Sequence, residues 1–241
     1  MKLLVTRPEP DASRQARDLE GIGLGAIVEP LMDIQFSERQ SLDLGGVQAL
    51  IATSRNGLRA LKRMPELESA RALPLIAVGS ASAQMARELG FGTVHEGPGT
   101  AEGLVAIVQA NASAERGAVL HLAGASLASD LKGALEALGY DVQQPVLYRA
   151  SRSAGLSQPV QTALRSGEIG GVVLMSPRTA RIYRELLEKA DLMQSARDVV
   201  HFCLSQAVAA RLEDSAFENV RICDQPREDD LLALIARETA D

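Results

Sequence analysis

At 241 residues, 46% of them apolar and 23% charged, the chain is long enough for two globular domains, each with its own core. A net charge of −6, aromatics at 3% and no Trp argue against nucleic-acid binding by phosphate neutralisation or base stacking. The first residues reach Thr6-Arg7-Pro8 too early for a signal h-region, and no apolar run approaches the ~18 residues of a membrane span. The expectation is a cytoplasmic protein with no membrane partner. Cys203 and Cys223 belong to no disulfide or zinc motif.

The chain opens on an apolar strand, Lys2-Leu3-Leu4-Val5, which leads through Thr6 and Arg7 to an amphipathic helix over residues 12–19. Gly21-Ile22-Gly23-Leu24-Gly25 follows that helix and precedes a strand, the reverse of the order a pyrophosphate site needs, so it reads as a helix stop. Residues 30–36 then run on past the unit, ahead of a polar stretch over 37–42. A strand ending at Ala52 enters a helix through Thr53, Ser54 and Arg55, and one ending at Val78 does so through Gly79 and Ser80. Gly97-Pro98-Gly99-Thr100-Ala101-Glu102 precedes a helix without a Walker lysine; it reads as a capped loop with anion contact open at Thr100.

The strand Ala118-Val119-Leu120-His121 is followed by Leu127, Leu131, Leu135 and Leu138 at helical spacing. Residues 145–150, which include Tyr148 and Arg149, again overrun their unit into polar residues 151–157. Gly171-Val172-Val173-Leu174 leads through Met175, Ser176 and Arg178 into a helix whose apolar face carries Ile182, Leu186 and Leu187. His201-Phe202-Cys203-Leu204 reaches Ser205 and Gln206 in the same way. Ser54, Ser80 and Ser176 each suit an N-cap.

Most of this is written twice. Residues 2–32 match 118–147, the strand ending at Ala52 answers the one ending at Leu174, and residues 75–80 answer 201–206. Even the closing helices correspond, 102–108 against 229–235. Uninterrupted apolar strands alternating with amphipathic helices predict α/β lobes with parallel sheets covered on both faces, and the duplication predicts two of them with a ligand between. Residues 30–36 and 145–150 read as paired crossover strands, which would make the first lobe discontinuous. A cut at Gly117 into contiguous halves fits the repetition equally.

Parallel α/β folds bind ligands beyond the carboxyl ends of their strands, where helix N-termini offer unpaired N–H groups. The candidate binding residues are therefore Thr6, Arg7, Thr53, Ser54, Arg55, Gly79, Ser80, Thr100, Ala101, Ser176, Arg178, Ser205 and Gln206. Hydroxyls, main-chain N–H groups and arginines at strand ends suit a polyanion. His95, His121 and His201 are scattered and read as structural; no nucleophile elbow or HExxH is present. Tyr148 would either pack against the crossover or border the ligand.

The order and spacing of Leu4-Val5-Thr6-Arg7-Pro8, Thr53-Ser54, residues 77–83, residues 99–104, Pro145-Val146-Leu147-Tyr148-Arg149, Met175-Ser176-Pro177-Arg178 and residues 204–209 resemble the uroporphyrinogen-III synthase family over essentially the whole chain. The resemblance implies two flavodoxin-like lobes joined by a two-stranded linker. Lobe one would be residues 1–35 plus 151–241, lobe two 38–147, and the linker strands would lie near 30–36 and 145–150. It also implies a cofactor-free, monomeric cyclising lyase that converts linear hydroxymethylbilane to uroporphyrinogen III with its last ring inverted, with hydroxymethylbilane synthase as the candidate partner enzyme.

In that family Thr53, Ser54, Ser82, Thr100 and Ser176 correspond to substrate contacts, and Tyr148 to a tyrosine that assists departure of the hydroxyl. Where some relatives carry two hydroxyls in the last turn, this chain has Ala207 and Val208, leaving Ser205, Gln206 and main-chain groups there. The rival expectations are a non-catalytic two-lobed module that closes on an anionic small molecule, and a pair of receiver-like domains. The second lacks a clustered acidic pocket.

Overall fold

The computed structural model describes residues 1–38, 41–212 and 217–239. In chain order the first elements are β1 (Lys2–Val5), α1 (Asp11–Gly21), β2 (Gly25–Val28), β3 (Met32–Phe36), β4 (Val47–Ala52), α2 (Arg55–Leu61), α3 (Leu67–Ala70), β5 (Leu75–Ala77) and α4 (Ser80–Glu88). They continue with β6 (Val94–Glu96), α5 (Ala101–Asn111), β7 (Ala118–His121), β8 (Ala123–Gly124), α6 (Leu131–Glu136), β9 (Val142–Gln143) and β10 (Val146–Arg152). The last are α7 (Gln158–Arg165), β11 (Ile169–Leu174), α8 (Pro177–Lys189), β12 (Val200–Cys203), α9 (Gln206–Ala209), β13 (Val220–Ile222) and α10 (Glu228–Glu238). No helix among the described residues is long and apolar enough to cross a membrane.

The chain divides into two compact units, Met1–Asp33 with Ser151–Asp241, and Ile34–Ala150. The first is built on a parallel five-stranded sheet in the order β13-β12-β11-β1-β2. Its strands bury both faces, which is why they read as unbroken apolar runs. Leu4, Val172, Leu174 and Cys203 enter one core cluster, while Leu3, Val5, Val173 and Phe202 enter another. Alternate residues of a strand point to opposite faces, so each run supplies both cores at once.

The second unit repeats the design with a parallel sheet in the order β6-β5-β4-β7-β9. Leu50, Ala52, Leu75 and Leu120 pack on one face, and Ala49, Ile51, Ile76 and Val119 on the other. Counted along the chain, unit one has the 2-1-3-4-5 order of flavodoxin-like sheets. Unit two has the same order once counting starts at β7, so β7 matches β1 and β4 matches β11, as the sequence repeat requires. β3 and β10 are neighbours in a further three-stranded sheet with β8, and Ser37 N donates to Leu147 O at 2.8 Å.

Two local expectations need correction. The helix expected from Leu127 starts at Leu131, because the cap is Asp130, whose side chain accepts from Gly133 N; Leu127 stays outside and exposed. Between His121 and that helix the chain forms β8. Ser80 is not a cap but the first residue of α4, and Gly79 in extended conformation takes the cap position without a side-chain bond. Ser54 and Ser176 cap as expected, accepting from Asn56 N at 3.2 Å and Thr179 N at 3.1 Å.

Candidate functional site

In an open α/β sheet the strand order reverses at a switch point, and the crevice beyond the strand ends there is where ligands bind. In unit one the switch lies between β1 and β11. Thr6, just past β1, is fully buried, and its Oγ1 donates to Val173 O at 2.8 Å, stitching the two strands together. Arg7 is buried as well. Its Nη2 lies 3.0 Å from Glu228 Oε1 and 3.8 Å from Asp11 Oδ2. Arg14 reaches the same two carboxylates, Glu228 at 2.8 Å and Asp11 at 3.7 Å, so both arginines engage this pair where α1 meets the first turn of α10.

Past β11, Ser176 Oγ lies 2.8 Å from Thr179 Oγ1 while it caps α8, with Arg178 half-buried in the same turn. Ser205 precedes the four-residue α9 without a side-chain cap bond, and Gln206 is exposed at its start.

In unit two the switch lies between β7 and β4, and polar side chains bridge it. His121, the last residue of β7, is buried at 2% exposure. Its Nε2 lies 2.8 Å from Thr53 Oγ1 and its Nδ1 lies 2.8 Å from Gln144 Nε2. Burial pushes the imidazole down to about 4, so it is neutral near pH 7. Thr53 itself is partly buried, and Arg55 is buried at the start of α2.

The turns after β5 and β6 meet next to these. Gly99 N donates to Val78 O at 2.6 Å and Gly97 N to Ala77 O at 2.8 Å. A Cβ on Gly79 would stand 3.4 Å from Gly99 Cα, so the two loops lie against each other with room for no more than a Cβ in ordinary van der Waals contact. This brings Ser80 and the buried Ser82 in the first turn of α4 near Thr100, which caps α5 through Gly103 N at 3.2 Å; Ala101 opens that helix. Unit two thus gathers Thr53, Ser54, Gly79, Ser80, Ser82 and Thr100 at one sheet end, and unit one gathers Thr6, Arg7, Ser176, Arg178, Ser205 and Gln206 at its own.

The sequence profile of the family described as Uroporphyrinogen-III synthase HemD matches residues 13–233. The chain belongs to the uroporphyrinogen-III synthase family. Members of this family are cyclising lyases of tetrapyrrole biosynthesis. Among solved structures, the chain resembles uroporphyrinogen-III synthetase from Helicobacter pylori, with a TM-score of 0.66 at 19% identity over 98% of each chain. It also resembles a mutant uroporphyrinogen III synthase from Thermus thermophilus, with a TM-score of 0.59 at 17% identity over 98% of this chain and 97% of that one. At this identity the two likenesses speak for the fold. No curated protein sequence matches the chain.

Tyr148 is the tyrosine that the resemblance to uroporphyrinogen-III synthases singles out. It is half-buried on β10 and packs against the core that β4 and β5 build. Its ring lies close against Gly124: a Cβ there would stand 2.6 Å from Tyr148 Cζ and 2.9 Å from the hydroxyl oxygen. Gly124 therefore makes room for the ring, a role that no motif announced. No sequence motif marks Gln144, Asp11 or Glu228 either, and His121 reads from sequence as structural. The available signal was a histidine at the carboxyl end of an otherwise apolar strand, in line with Thr53 at the end of its neighbour.

Proposed function

We propose that this chain dehydrates and cyclises hydroxymethylbilane to uroporphyrinogen III with inversion of ring D. The observation that carries this is the family match over residues 13–233. It is supported by strand ends furnished with hydroxyls and main-chain N–H groups, which suit the eight carboxylates of the substrate. The hydroxymethyl C–O bond breaks, the oxygen leaves with an added proton as water, and an azafulvene cation remains. The substituted α-carbon of ring D attacks that cation to form a spiro centre. Fragmentation and re-closure then invert the ring, and a proton is lost.

The substrate supplies both electrophile and nucleophile, so the protein's contribution is to hold a flexible chain in one productive fold. In this reading Thr53, Ser54, Ser82, Thr100 and Ser176 bind carboxylates, and Tyr148 donates a hydrogen bond to the departing hydroxyl. The enzyme acts as a cytoplasmic monomer and receives its unstable substrate from hydroxymethylbilane synthase. The open side-chain capacity at the last turn of unit one is limited to Ser205 and Gln206, so main-chain groups complete that contact.

Product-isomer analysis tests the activity. Freshly made hydroxymethylbilane is incubated with and without the protein, the products are oxidised, and isomers I and III are separated. Protein-dependent type III is the expected result; type I alone, matching the spontaneous control, overturns the reading and leaves an anion-binding module. Tyr148→Phe is expected to lower kcat by about tenfold, because assistance by one hydroxyl among several positioning contacts is a partial effect. A loss above about a thousandfold would make Tyr148 an essential general acid, against the positioning account.

A further inference from the structure

We infer that His121 is a positioning residue for this reaction: from the end of β7 it holds the Thr53 hydroxyl as a hydrogen-bond donor toward a carboxylate oxygen of the ligand. The inference rests on the reading of Thr53 as a substrate contact and adds to it a mechanism of orientation. It starts from the two 2.8 Å contacts of the ring.

The amide nitrogen of Gln144 can only donate, so Nδ1 of His121 must accept. A neutral imidazole that accepts at Nδ1 carries its proton on Nε2, and Nε2–H then donates to Thr53 Oγ1. Once that oxygen accepts from the ring, its own O–H is directed away to donate elsewhere. Helix capping does not claim it, because Ser54 performs that task for α2. Thr6, in the corresponding switch of the other unit, differs: it is fully buried and donates to Val173 O. Thr53 is only partly buried, at a strand end where an open α/β sheet receives its ligand. A donor in that position matches a carboxylate and mismatches an ammonium group.

The neutral state matters to the design. Burial keeps the ring unprotonated near pH 7, so Nδ1 remains an acceptor and the tautomer stays locked by Gln144. Replacing the ring by an apolar group would free the Thr53 hydroxyl to rotate, and the orientation, rather than the group itself, would be lost.

Two measurements test this. In the ¹⁵N-labelled wild-type protein, long-range ¹H–¹⁵N correlation identifies which nitrogen of His121 carries the proton, with assignment by loss of the signal in His121→Gln. Protonation at Nε2 is expected; protonation at Nδ1 overturns the inference without touching the synthase reading. In kinetics on hydroxymethylbilane, His121→Leu is expected to raise KM about tenfold, the size of one oriented hydrogen bond to a charged group, with kcat changed less than threefold. His121→Gln restores a donor near the Nε2 position and should recover most of that loss, whereas equal damage by Gln and Leu overturns the inference. Thr53→Val should raise KM to a similar extent, and adding His121→Leu to it should cost little more. Full additivity of the two overturns the inference. If Thr53→Val leaves KM unchanged while type III product still forms, the contact assigned to Thr53 is wrong and the inference falls with it, although the synthase activity stands.

Discussion

Lowering the pH from 7.5 to 5 will destabilise unit one by about 2 kcal/mol through His201 alone. This residue of β12 is fully buried, and neither ring nitrogen has a hydrogen-bond partner among the described residues. It packs instead against Phe217, with ring centroids 4.1 Å apart, and Tyr183 at 5.7 Å. Burial pushes its pKa down to about 4, although the main chain at Asn219 and Val199 pulls the other way without reaching hydrogen-bonding geometry. The folded value lies below the unfolded one near 6.5. The stability is therefore fully present above about pH 6.5 and is lost as the pH falls toward 4.

His121 in unit two is depressed by burial to the same extent and adds a similar loss there. At pH 5 ordinary carboxylates are still mostly ionised, so the histidines dominate the change. Urea midpoints at pH 7.5 and 5 measure it. His201→Leu should remove the share of unit one, and an unchanged pH dependence in that variant would refute the assignment.

Gly57→Ala will destabilise unit two by about 2 kcal/mol or more, although alanine is the better helix former by about 1 kcal/mol. Gly57 lies in α2, where an added Cβ would stand 2.4 Å from Leu122 O and 2.9 Å from Leu122 Cβ. Leu122 cannot easily retreat, because its N–H donates to Ile51 O at 2.9 Å. The helix would have to move off the sheet, carrying Ser54 and Thr53 with it. Gly21, the last residue of α1, is the control, since nothing lies within 4 Å of its Cβ position. Gly21→Ala should leave the thermal midpoint within a degree or two or raise it. Gly57→Ala should lower it by roughly 5 °C. Equal behaviour of the two would mean that α2 packs more loosely than its contacts indicate.

The repeat and the apolar strand runs were legible because strands buried on both faces need no alternation, so Leu3-Leu4-Val5 and Val172-Val173-Leu174 announce themselves. Caps were legible where a hydroxyl directly precedes the helix, as at Ser54 and Ser176. Periodicity failed at Leu127 because it sets the face of a helix and not its start, which Asp130 decides. Ser80 failed because an extended glycine can occupy the cap position unaided.

Arg7 was legible as a cation at a strand end. Its engagement with Glu228, 221 positions away, was not, because only the fold brings α10 beside α1. The bridge from Thr53 to His121 was hidden for the same reason: it spans 68 positions and depends on which strands are neighbours. The residues that share a strand end are thus readable once the repeat is recognised. What each side chain donates or accepts is settled by neighbours distant in sequence.

The place of β1 inside its sheet has a consequence for synthesis. Thr6 meets Val173 across 167 positions, and at roughly 5–20 residues per second the ribosome delivers that partner about 10–30 s after β1 emerges. During that interval all of residues 34–150 is made, so the second unit has its full set of strands before the first has three of its five. The nascent β1–β2 pair must wait with an open strand edge, exposed to wrong pairing. On the ribosome, the unit whose strands are split by the other is the one whose sheet is completed later.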